Sequence, residues 1–89
     1  MRNALFLIEN LTQDESLVFI FDNGVFLMNN FEVVDFASEE EKQIIVGDIL
    51  IQIESNNPRL FTAGTAMQFA LCDIVEIKTS TSGETLYRR

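Results

Sequence analysis

Residues 18–28, VFIFDNGVFLM, constrain the fold more than any other part of the chain. Two apolar runs flank Asp22-Asn23-Gly24, a turn signal, because Asn and Gly accept the backbone conformations that tight hairpins demand. A strand with one face in water alternates apolar and polar residues. Here the alternation is lost: Phe19 and Phe21 point one way, Val18 and Ile20 the other, and all four are apolar. Leu17–Phe21 and Val25–Met28 together put nine apolar residues into one hairpin. Leaving one face wet would expose several hundred Å² of apolar surface, about the largest patch a soluble monomer carries. The pattern therefore predicts that the second face is covered by another copy of the chain or by closure of a barrel. Phe19, Phe21, Phe26 and Met28 are the candidate self-association face.

The rest of the chain reads as short elements without internal repeats. Residues 4–11, ALFLIENL, carry Ala4, Leu7, Ile8 and Leu11 at helical spacing, and a strand fits them as well. FEVVDF, 31–36, is a further short strand after Asn29-Asn30. In SEEEKQIIVG, 38–47, Ser38 with Glu41 fits a capping box and three glutamates suit a first helical turn, which favours a short helix. The β-branched Ile44, Ile45 and Val46 argue for a strand instead. ILIQIE, 49–54, is the cleanest strand, with Ile49, Ile51 and Ile53 on one face. Residues 65–72 are open between helix and strand, and 73–78 read as a strand. TSTSGETLYRR, 79–89, is polar and predicts a flexible tail after a single compact domain over 1–78. The sum is a mainly β fold, α+β at the margin: a small antiparallel meander or barrel-like sheet of five to seven short strands with one or two short helices. The pattern resembles several small β-barrel and roll families, Sm-like folds among them; no residue motif assigns the chain to one.

Eighty-nine residues suffice for one core. Surface scaling predicts about 5,300 Å² exposed after folding, so that roughly 64% of the unfolded surface is buried. The formal net charge of −8, from 14 acidic and 6 basic residues, leaves no basic cluster in the body of the chain. Binding to nucleic acid or an anionic membrane needs such a cluster, so neither is expected as a direct partner. A second copy of the chain or a basic protein fits better. No apolar run approaches the ~18 residues that span a bilayer, and the N-terminus lacks a secretory pattern, so a cytoplasmic location is expected.

The sequence restricts chemistry more than it suggests any. It contains no histidine and one cysteine. That removes Ser-His and Cys-His pairs, thiolate metal sites and any internal disulfide. Cys72, in the run FALCDIV with Asp73 beside it, is expected to be a small buried apolar residue. The four glycines stand alone, so no phosphate-cradling loop can be drawn. No catalytic residue, metal or cofactor is expected. Six acids do fall close together, Glu32, Asp35, Glu39, Glu40, Glu41 and Asp48, with Lys42 the one basic residue among them. They form a candidate acidic patch. Its ordinary role is a solvated surface; its functional role would be to occupy a basic groove in a partner, as phosphates do. The expectation is a non-catalytic protein–protein interaction or regulatory module that self-associates, with an acidic inhibitor or nucleic-acid mimic as the alternative.

Overall fold

A computed structural model describes residues 4–11, 15–35, 38–39, 42–56 and 59–89. One short helix, α1 (Ala4–Glu9), precedes six strands: β1 (Leu17–Phe21), β2 (Gly24–Asp35), β3 (Ile44–Ser55), β4 (Ala66–Ala70), β5 (Ile74–Thr79) and β6 (Thr85–Arg88). A 3-10 turn, Leu71–Asp73, joins β4 to β5. All six strands are antiparallel in one open sheet, in the order β4-β3-β2-β1-β5-β6. The mainly β fold expected from the strand pattern is therefore the one present.

The β4–β5 connection forces the sheet to curl. In a flat sheet, β4 and β5 would stand four strand spacings apart, about 19 Å at about 4.8 Å each. Ala70 to Ile74 spans four residues and reaches at most about 14 Å. The sheet bends through the register shifts of the long β2–β3 ladder, at Val25/Phe26, Leu27/Met28, Asn29/Glu32 and Val33/Asp35, since bulges locally increase strand twist and bend. Asn30, in the third of these, takes a left-handed φ of 56°, which Asn tolerates. As a result the Phe69 ring of β4 lies 5.1 Å from Phe21 and 5.8 Å from Phe19 of β1, across the inside of the curl.

That inside is the core. Phe19, Phe26, Met28, Ile45, Ile49, Ile74 and Ile77 are fully buried, and Ala4, Leu5 and Ile8 of α1 join the same cluster. Six phenylalanines, 19, 21, 26, 31, 61 and 69, form one network of ring contacts with centroids 4.9–6.1 Å apart. These six phenylalanines thus serve the single chain's core, while Phe6 is exposed. The Cα radius of gyration, 12.0 Å, equals the roughly 12 Å expected for a compact domain of this length.

Two expectations need correction. The helix favoured at 38–46 is present in its described part only as a 3-10 turn at Lys42, whose N–H donates to Glu39 C=O at 3.0 Å; Ile44 then opens β3, since the β-branched Ile44-Ile45-Val46 run loses side-chain freedom in a helix. Glu40 and Glu41 lie outside the described residues. The flexible tail at 79–89 is also overturned. Thr85–Arg88 pairs with β5, Leu86 and Tyr87 pack against the core, and Arg89 N–H donates to Val75 C=O at 2.8 Å. The segments left open resolve as α1 over Ala4–Glu9 and as β4 followed by the 3-10 turn over 66–73.

Candidate protein-interaction surface

The hairpin expected at 17–28 is present, with Leu17 opposite Met28 and Phe21 opposite Gly24. Asp22 and Asn23 form its two-residue turn. Gly24 is needed for close approach: a Cβ there would lie 2.6 Å from the Glu54 carbonyl oxygen and 2.8 Å from Phe26 Cζ. The register fixes which face is which. Phe19, Phe21, Phe26 and Met28, the expected self-association face, all point into the curl and are buried by the chain itself. The face left outside is the other one.

Residues opposite each other in adjacent strands share a face, so the outer surface can be followed across the sheet. One row runs Ile51, Leu27, Val18, Lys78, Thr85, and the next runs Glu54, Val25, Ile20, Glu76, Arg88. Val18, Ile20, Val25 and Leu27 are half-buried by one another. Ile51, 54% exposed, extends the aliphatic stretch into β3, where the neighbouring Leu50 (39%) and Ile53 (56%) are exposed as well. On the β5–β6 side the surface turns polar. Glu76 Oε2 accepts from Thr85 Oγ1 at 2.8 Å, and Arg88 Nη2 and Lys78 Nζ lie 3.3 and 3.8 Å away. The Thr85 hydrogen bond, then the Arg88 bond and charge and the Lys78 charge, lower the Glu76 pKa against an opposing effect of burial. The outer sheet is thus an aliphatic field with an ionic border.

The candidate acidic patch is only partly assembled. Glu32 opposes Val46, Asp48 follows two residues later on the same strand face, and Asp35 opposes Ile44, so three of the six acids share the outer side of the β2–β3 ladder. Asp48 Oδ2 accepts from Asn30 Nδ2 at 3.1 Å. Glu39 stands apart in the connection, paired with Lys42 at 3.3 Å.

Two shallow hollows of about 300 and 290 Å³ flank the hairpin tip. Phe21, Asp22 and Asn23 line both, with Phe69 and Asp73 in the first and Glu54 in the second. Asp22 Oδ1 is 3.6 Å from Arg89 Nη2. Cys72, expected to be buried, is exposed. The 3-10 turn carries Leu71 inward, and the next position consequently faces solvent. Among the described residues no group of three His, Cys, Asp or Glu side chains converges as a metal site, and no helix is long and apolar enough to cross a membrane.

Both faces of the hairpin are apolar, and the aromatic one is the face that the chain buries itself. The usable signal was residue size, since the aromatic side of a mixed aromatic/aliphatic strand fills more core volume than the aliphatic side. No protein-family model matches this chain, and no curated protein or solved structure matches it either.

Proposed function

We propose that this chain is a non-catalytic protein–protein interaction module that self-associates. The observation that supports it is the outer face of the β1–β2–β3 sheet, where the half-buried Val18, Ile20, Val25 and Leu27 adjoin the exposed Ile51. Removing an aliphatic side chain from water contributes about 1.5–3 kcal/mol, so covering several of them can support a protein contact. The open sheet also leaves strand edges to which a further chain can add.

Light scattering across the micromolar range, in low and in high salt, tests the proposal. The expected mass is a multiple of the 10.1 kDa chain. Added salt strengthens the association, because it screens two chains of charge −8 from each other. A mass of one chain at every concentration and salt would reject self-association. The second reading, an acidic mimic of nucleic acid, is favoured by Glu32, Asp35 and Asp48 sharing one side of the sheet. It requires the opposite salt response, a steep loss of binding to a basic protein as salt rises.

A further inference from the structure

Among the described residues the sheet ends at two edges, β4 and β6, and they are built differently. β6 has four residues, ends in Arg88 and is followed by Arg89. Short length and charge are common protections against pairing with a foreign strand. β4, Ala66-Met67-Gln68-Phe69-Ala70, carries neither charge nor proline. Its ladder with β3 fixes the direction of its backbone groups. At either end of that ladder, Leu71 N–H donates to Gln43 C=O (3.3 Å) and Ile49 N–H donates to Thr65 C=O (2.9 Å). Odd-numbered residues therefore bond towards β3, and strand alternation directs the N–H and C=O of Ala66, Gln68 and Ala70 away from the sheet. Ala70 N–H is occupied by Asp73 Oδ2 at 3.0 Å.

We infer that β4 pairs antiparallel with β4 of a second copy, about a two-fold axis through Gln68. This rests on the self-association proposed above and assigns its contact. The strand reads alike from both ends: Ala66 opposes Ala70, Met67 opposes Phe69, and Gln68 opposes itself. Such a sequence is self-complementary, as an isologous contact requires. Met67 and Phe69 are buried by the chain itself, so the junction rests on the backbone groups and on Gln68. On the outer face the small Ala66 and Ala70 leave the two Gln68 carboxamides room to bond each other. The backbone contributes a reciprocal pair of hydrogen bonds at Gln68 and one from each Ala66 N–H to Ala70 C=O of the other copy. Asp73 withholds the Ala70 N–H and so limits the ladder's length.

The test exploits the axis, where one substitution meets itself. Gln68→Lys and Gln68→Glu are each expected to weaken the dimer about tenfold, through like charges placed directly opposite. Mixed in equal amounts they regain it as a heterodimer. Gln68→Pro removes an N–H that the β3 ladder does not use and is a second disruptor. Far-UV circular dichroism confirms that each variant is folded. Thr81→Ala, in the β5–β6 turn and outside both surfaces, is expected to leave the mass unchanged. A wild-type chain that scatters as a monomer at every concentration overturns both this contact and self-association. A dimer that survives the Gln68 variants and is lost in Ile51→Asp leaves self-association standing and overturns the β4 contact alone.

Discussion

Gly47 shows how a single missing side chain positions the core. A Cβ there would lie 2.7 Å from two atoms of the Phe31 ring and 3.1 Å from Met28 Cε. Phe31 in turn lies 4.9 Å from Phe19 with the rings tilted by 38°, so an added methyl pushes on the aromatic network rather than on a flexible surface group. Gly47→Ala is expected to cost about 1–3 kcal/mol, the usual penalty for overpacking; a urea melt that matched the wild type would refute this. Cys72 makes the opposite case. The sequence around it, FALC, suggests a buried thiol, yet neighbouring positions in a 3-10 turn diverge and Cys72 meets solvent. Its thiol is therefore expected to react with a thiol reagent in the folded protein without prior unfolding. Cys72→Ser is expected to change stability by no more than about 0.5 kcal/mol, and labelling that proceeds only in denaturant would count against exposure.

At the scale of elements, β6 ties the ionisation of Glu76 to the fold. Its Thr85 and Arg88 converge on Glu76 of β5, while Arg89 reaches Cys72 C=O (3.1 Å) and Asp22. Because Glu76 has a lower pKa folded than unfolded, its ionised form stabilises the native state, in full at neutral pH. That contribution is lost as pH falls below the ordinary glutamate value of about 4.3 and through the lower folded value. The difference in melting temperature between wild type and Glu76→Gln is expected to be largest near neutrality and to vanish in acid; a constant difference would show that Glu76 titrates normally. None of this was legible in TSTSGETLYRR, where Ser, Thr and Gly hide a four-residue strand whose partners lie far off in sequence. By contrast the 17–28 hairpin and the strand over 49–54 are legible as elements, because their signals are local, but the single face expected for Ile49, Ile51 and Ile53 is not formed: the register shift between Leu27 and Met28 leaves Ile49 inside and Ile51 outside. In 38–46 the glutamates resemble a helix start, whereas the sheet that Ile44 joins rewards the β-branched residues. The outer aliphatic face was visible as composition, and only the register of β1 against β2 told which side of the hairpin it occupies.

At the scale of the whole molecule, two agents can hold the sheet curled: the short β4–β5 connection and the packing of Phe69 across the interior. Their magnitudes differ. Lengthening the connection by two glycines between Cys72 and Asp73 relaxes the tether and adds loop-closure entropy, about 0.6 kcal/mol for each doubling of a loop. It also endangers the hydrogen bond from Ala70 N–H to Asp73, worth about 0.5–1.5 kcal/mol. Truncating Phe69 removes a buried ring that touches Phe19 and Phe21, and Phe→Ala changes in cores cost about 3–5 kcal/mol. Packing should therefore dominate. The two-glycine insertion is expected to lose about 1–2 kcal/mol in urea and to keep the near-ultraviolet signal of the phenylalanine network, whereas Phe69→Ala loses at least twice as much and weakens that signal. If the insertion proves the more damaging of the two, the connection and not the aromatic interior holds the curl.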